Sequence, residues 1–73
     1  MPARLRDIVR ALAELGVAIE KPNRGSHFKA LSASGRKYSI PAHNGEKTEI
    51  SDEYIRGLCR FLGIDAKRLK DLL

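Results

Sequence analysis

The chain has 73 residues, a net charge of +5 and one cysteine. A chain of this length buries only about 60% of its unfolded surface, which favours one modest core and a shallow surface site over a deep small-molecule pocket. One cysteine excludes an internal disulfide, and no apolar run approaches a membrane span or a signal-peptide core. We therefore expect a single cytoplasmic domain over residues 1–73 that does not associate with membranes.

The positive charge is unevenly distributed along the chain. Residues 1–45 contain eight Lys or Arg and three Asp or Glu, whereas residues 46–73 contain six of each. A localised positive field suits a polyanion such as RNA or DNA, or an acidic protein. Many small domains also carry a basic surface without such a partner, so charge alone leaves the function open.

The first predicted element is an amphipathic helix that ends at Gly16, a residue suited to the C-terminal end of a helix. Its apolar residues recur at helical spacing and form one stripe: Leu5, Ile8, Val9, Leu12 and Leu15.

Short strands are predicted next. Residues 17–21 alternate between apolar and other side chains, and residues 27–32 and 36–41 have strand character. Residues 22–26 and 32–35 have the Gly, Pro, Asn and Ser content of turns. Consecutive strands with short connections predict an antiparallel sheet.

The C-terminal part is predicted to be helical again. After a polar loop at residues 42–49, Ser51 is suited to cap a second helix, which Gly63 ends. Asp65 is suited to cap a last short helix. The apolar residues of these two helices are Ile55, Leu58, Cys59 and Leu62, then Leu69, Leu72 and Leu73.

The predicted order is therefore α-β-β-β-α with a short C-terminal helix. Two amphipathic helices can cover only one face of a sheet of short strands, so the other face should remain in water. This is a two-layer α+β architecture with a three-stranded antiparallel sheet, similar to the double-stranded-RNA-binding domain.

Strand alternation predicts that His27 points into solvent. Phe28 and Ala30 are the apolar, inward candidates of their strand, so His27 and Lys29 should lie on the open face. An exposed histidine is most often an ordinary polar surface residue, so its position alone does not establish a role.

The same alternation restricts how the strands pair. Ala30 must share a face with Ile40, and a hairpin centred on Gly35 would place those two residues opposite each other. That pairing would also bring His27 opposite His43. Two histidines could bind a metal, but no third ligand at suitable spacing accompanies them, so we expect no metal site. Cys59 lies on an apolar helix stripe and is expected in the core.

Three sequence elements carry a resemblance to a known family. They are Gly25-Ser26-His27, the segment Gly35-Arg-Lys-Tyr-Ser-Ile-Pro-Ala-His43, and the helix end Arg60-Phe-Leu-Gly-Ile-Asp65. In this order and spacing the chain resembles the HicA family of toxin endoribonucleases over nearly its whole length.

The resemblance implies an RNA-binding-like fold and cleavage of messenger RNA by the toxin of a type II toxin–antitoxin system. It implies a HicB antitoxin as the protein partner, which would cover the active site, while the toxin alone is expected to be a monomer. The family's catalytic histidine falls on His27. The histidine of the Pro-x-His element falls on His43, for which a structural or binding role is expected.

Histidine titrates near neutrality and suits removal of the proton from the 2′-OH of RNA, the internal nucleophile of the cleavage. Lys29 and Arg24 would stabilise the charged phosphorane, and no metal or cofactor is required. The residues expected to bind RNA are Arg24, Ser26, Lys29, Lys37 and His43. Two other functions remain open: a non-catalytic RNA-binding module of the same fold, and a protein-interaction domain whose basic face binds an acidic partner.

Overall fold

The computed structural model describes residues 2–21 and 27–73. Within these ranges the chain is an α+β structure in which the predicted helices and strands occur in the predicted order, together with two short strands and a 3-10 helix that were not predicted. In chain order they are β1 (Ala3–Arg4), α1 (Leu5–Glu14), β2 (Ala18–Glu20), β3 (His27–Leu31), β4 (Lys37–Pro41), a 3-10 helix (Gly45–Lys47), β5 (Glu49–Ile50), α2 (Asp52–Leu62) and α3 (Ala66–Asp71). No helix in the described ranges has the length and apolar character needed to cross a membrane.

Helix α1 ends where the sequence predicts. The Gly16 N–H donates to the Ala13 carbonyl at 3.0 Å, and the Val17 N–H donates to the Leu12 carbonyl at 2.9 Å. This pair of bonds is a Schellman motif, and it requires the left-handed conformation that Gly16 adopts with φ 82°. The turn directs the chain straight into β2.

The sheet has the order β2-β3-β4 within the described residues, and both pairings are antiparallel. Phe28 lies opposite Ile40, and Ala30 lies opposite Tyr38. Inward residues therefore share a face as predicted, but the predicted pairing is wrong, because His27 lies opposite Pro41 and not His43.

The hairpin loop explains the difference in register. The Ser32 N–H donates to the Arg36 carbonyl at 2.8 Å and closes a loop of residues 33–35. Gly35 is the last residue of that loop and has φ 85°, as three-residue hairpin loops require at that position. Gly35 therefore ends the turn rather than centring it, which moves the partner of His27 from His43 to Pro41.

Both C-terminal helices begin at the predicted caps. The Ser51 hydroxyl accepts from the Tyr54 N–H at 3.2 Å, and the Asp65 carboxylate accepts from the Lys67 N–H at 3.0 Å. Side-chain acceptors at these positions satisfy helix N–H groups that have no partner within the helix.

Residues 42–49 are more structured than the predicted polar loop. Thr48 is fully buried, its hydroxyl donates to the Gly45 carbonyl at 2.7 Å, and the same oxygen accepts from the Asn44 N–H at 2.9 Å. The Thr48 carbonyl accepts from the Leu5 N–H at 2.8 Å. The segment is thus attached to the start of α1, where β5 pairs with β1.

The core lies between the inner face of the sheet and the helices. Its buried apolar side chains are Leu5, Ile8, Ala11, Leu12, Phe28, Ala30, Ile40, Ala42, Ile50, Ile55, Leu58, Cys59 and Leu69. Because the helices lie on this side, the opposite face of β2, β3 and β4 faces solvent; we call it the outer face.

Candidate nucleic-acid interface

Strand β3 determines where His27 and Lys29 lie. Phe28 and Ala30 are 6% and 0% exposed on the inner face. Successive side chains of a strand point to opposite faces, so His27 and Lys29 lie on the outer face, and both are exposed. The predicted orientation of the histidine is therefore confirmed.

The outer face combines charged, polar and small side chains. Alternation and register assign to it the following described residues: Ala18, Glu20, His27, Lys29, Leu31, Lys37, Ser39 and Pro41. His27 begins β3 and lies beside Pro41 at one end of this face, and Leu31 lies beside Lys37 at the other. Polar side chains are thus present along the length of this face in the described residues.

An ion pair crosses the outer face. The Lys37 ammonium lies 3.2 Å from one carboxylate oxygen of Glu20 and 3.3 Å from the other. Glu20 is on β2 and Lys37 on β4, so the two side chains reach toward each other over β3. Lys29 lies directly opposite Glu20 in the strand register. Lys37, predicted to bind RNA, therefore already has an internal carboxylate partner.

The other predicted site residues are placed differently. His43 is exposed in the turn after β4 and is not part of the sheet, so the structure does not make the two histidines cross-strand neighbours. Arg24 and Ser26 lie outside the described residues. Within the described ranges no group of three His, Cys, Asp or Glu side chains is arranged to hold a metal ion.

An aromatic cluster lies between β4 and α2. The Tyr38 ring centroid is 5.0 Å from that of Phe61 and 5.6 Å from that of Tyr54. The Arg36 guanidinium lies over the Phe61 ring at 5.4 Å from its centroid, a cation–π contact. The sequence contained a signal for this cluster, because Tyr54 and Phe61 are two helical turns apart and so share one side of α2.

A side chain of this cluster also occupies a backbone hydrogen-bonding group of β4. The Tyr54 hydroxyl donates to the Ser39 backbone carbonyl. Burial, and to a smaller degree the neighbouring Tyr38, raise the pKa of Tyr54, which therefore remains a neutral donor at physiological pH. Pro41, which has no N–H, further limits pairing along this strand. Both features disfavour the addition of a further strand beside β4.

Two further features lie away from His27. An open apolar cleft of about 510 Å³ occupies the other end of the sheet, where its walls include Leu15, Val17, Leu31 and Ile64. Cys59 is 2% exposed, and burial raises the pKa of its thiol. A buried neutral thiol is a poor nucleophile, and the expected core position of Cys59 is confirmed.

The outer face of β3 presents one exposed imidazole, that of His27, and one exposed ammonium, that of Lys29. That is enough for proton transfer and for charge stabilisation at a phosphate. Comparison with known proteins finds no matching family model, curated protein or solved structure.

Proposed function

We propose that this chain is a metal-independent endoribonuclease that cleaves messenger RNA, the toxin of a cytoplasmic type II toxin–antitoxin pair, with His27 as the catalytic base. The observation that carries the proposal is the exposed His27 at the start of β3, on the same open face as Lys29. The resemblance of Gly25-Ser26-His27 and Pro41-Ala42-His43 to the HicA family supports the assignment.

The architecture supports RNA as the ligand class. We propose that the α-β-β-β-α order with an antiparallel sheet corresponds to the fold of double-stranded-RNA-binding domains. In the described residues the helices pack against the inner face, which leaves the outer face exposed to a long polyanion. The excess positive charge of residues 1–45, which include β2, β3 and β4, favours such a ligand.

Cleavage uses the nucleophile that RNA itself carries. The His27 imidazole accepts the 2′-OH proton while that oxygen forms a bond to the adjacent phosphorus. The bond from phosphorus to the 5′ oxygen breaks, and this oxygen takes a proton from the imidazolium or from water. Lys29 stabilises the negative charge that develops on the phosphorane oxygens. The products are a 2′,3′-cyclic phosphate and a 5′-hydroxyl.

The proposal is tested by incubating the purified protein with RNA in excess chelator. The wild type should cut, and His27→Ala should lower the rate at saturating RNA by roughly 10²–10⁴, the usual contribution of a general base. His43→Ala serves as the matched histidine substitution. If His43 binds RNA, its loss should raise the RNA concentration needed for half-maximal rate and spare the rate at saturation. A His27→Ala protein that cuts at the wild-type rate would show that the catalytic assignment is wrong.

A second function is supported by one observation. The described part of the outer face carries a single histidine, since His43 lies in a turn outside the sheet. One imidazole without a second histidine on the same face suits an RNA-binding module that performs no chemistry. In the chelator experiment this function predicts RNA that is retarded in a gel but remains intact.

The open face also suggests how such an enzyme is inhibited. We propose that a HicB-type antitoxin covers His27, with acidic residues against the basic N-terminal half, so that the complex forms quickly and weakens with salt. The chain has two histidines, so in a His43→Ala background any histidine modification found on this chain is at His27. Modification should be slow in the complex and fast in the free toxin. Equal modification rates in the complex and in the free toxin would indicate that the antitoxin inhibits allosterically, without covering His27.

A further inference from the structure

The Glu20–Lys37 pair differs in position from the other ion pairs of the described chain. Asp7–Arg10 and Asp52–Arg56 link neighbouring turns of a helix, and Lys70–Asp52 links α3 to α2. Lys21–Glu46 links the residue that follows β2 to the 3-10 helix. Within the described residues, only Glu20–Lys37 spans the outer face, from β2 to β4.

Glu20 is also the one carboxylate among the described strand residues assigned to that face. Its position places a negative charge directly opposite Lys29 and in contact with Lys37, where a polyanion is expected to bind. A carboxylate with two oxygens near one ammonium resembles the contact that a phosphate makes with lysine.

We propose that Glu20 is an internal substitute for a backbone phosphate, which keeps Lys37 over β3 and which a phosphate of the bound nucleic acid displaces. The proposal rests on the proposed function only in that a nucleic acid binds the outer face; it does not require cleavage. Glu20 is then an affinity-limiting residue.

The exposure of the pair makes displacement feasible. The Lys37 and Glu20 side chains are 49% and 47% exposed, and ion pairs this exposed are weak because water and salt screen them. Two long side chains can separate without disturbing the backbone. Lys29, opposite Glu20 and without an ion pair to any described residue, supplies a second cation at the same point.

The salt dependence of nucleic-acid affinity shows whether the bound phosphate displaces Glu20 from Lys37 or leaves the ion pair intact. Each new contact between a lysine and a single-stranded phosphate steepens the slope of log affinity against log salt by about 0.7. In the wild type, Lys37 must leave Glu20 before it binds a phosphate, and the lost ion pair offsets part of the electrostatic gain of the new contact. Glu20→Gln removes the offset and the repulsion, so affinity should rise about two- to fivefold and the slope should steepen, by at most about 0.7.

The experiment uses a single-stranded oligonucleotide with 2′-O-methyl sugars, which cannot undergo the proposed cleavage. Affinities are measured from low to moderate salt for the wild type, Glu20→Gln and the control Asp7→Asn. Asp7 also forms a partly exposed ion pair, at 3.4 Å from Arg10, but it lies on α1 in the helical layer, and its substitution changes the net charge equally.

The expected result is tighter binding and a steeper slope for Glu20→Gln, with no change for Asp7→Asn. The gain in slope should disappear when Lys37→Gln is added to Glu20→Gln, because that gain requires the lysine. Equal gains in the presence and absence of Lys37, equal gains for both carboxylate substitutions, or no binding by any variant would each overturn the proposal. Because the probe is not cleavable, failure of the catalytic assignment would leave this result unaffected.

Discussion

Neighbouring residues of β3 lie in opposite environments. Phe28 and Ala30 pack in the core, whereas His27 and Lys29 are exposed on the outer face. A single five-residue strand carries both sets, so the packing of one set fixes the position of the other. We therefore expect substitutions on the inner face of β3 to affect stability more than substitutions on its outer face.

Phe28→Ala should have the largest effect on stability. Loss of a buried phenylalanine costs about 3–5 kcal/mol, which is comparable to the whole stability of a domain of this size. Compared with the wild type, the variant should unfold at a much lower urea concentration, or should show no cooperative unfolding transition by circular dichroism. A loss below about 1 kcal/mol would show that the inner face of β3 contributes little to the core.

Periodicity and capping chemistry were sufficient to predict most of the elements. The apolar stripes of both long helices, the caps at Ser51 and Asp65, and the outward direction of His27 are confirmed. Each depends on residues within one or two turns of the chain, where local physical preferences determine the structure.

Features that depend on loop geometry or on distant partners were not predictable in the same way. The predicted register of β3 and β4 was wrong because a glycine fits either the centre or the end of a short hairpin loop. The alternation of inward and outward residues allows both registers. The burial of Thr48 depends on its bonds to residues 44 and 45 and on the packing of its segment against the start of α1. The Glu20–Lys37 pair joins strands that are not neighbours in the sheet, so no local pattern indicates it.

Gly57→Ala tests how closely α2 packs against β4. Alanine is favoured over glycine in a helix by up to about 1 kcal/mol, but a Cβ at residue 57 would lie 3.0 Å from the Tyr38 hydroxyl oxygen. Gly57→Ala alone should therefore fail to stabilise the protein. In a Tyr38→Phe background it should stabilise by about 0.5–1 kcal/mol in urea denaturation. Equal effects in both backgrounds would show that the hydroxyl does not limit the contact.

Lys29→Gln tests the outer face as a phosphate-binding surface. It should weaken binding to single-stranded RNA of any sequence and flatten the salt slope by about 0.7, because phosphate contacts do not read bases. Lys67→Gln, an exposed lysine substitution on α3, is the matched control and should leave the slope unchanged. The same slope for all three proteins in a binding titration would exclude Lys29 as a phosphate contact.

Asp52→Asn tests the two ion pairs that Asp52 forms within the helical layer, with Arg56 and with Lys70. A hydrogen bond from Lys70 lowers the pKa of Asp52, and Arg56 lowers it further. A lowered folded-state pKa stabilises the protein above the unfolded pKa of about 4, and that stabilisation is lost as pH falls through the folded value. Asp52→Asn should therefore lower the Tm at pH 7 and converge with the wild type below about pH 4. A difference in Tm that persists at acidic pH would show that the carboxylate charge is not its cause.

His27→Ala should have the smallest effect on stability, although it lies beside Phe28 in the strand. An exposed side chain contributes little packing, so the free energy of unfolding should change by no more than about 0.5 kcal/mol. Urea denaturation of this variant and of Phe28→Ala compares the two faces at adjacent positions of one strand. A cost near that of Phe28→Ala would mean that His27 is structural, and its loss could then not be used to assign catalysis. A small cost together with loss of RNA cleavage would separate the chemistry of the outer face from the packing of the inner one.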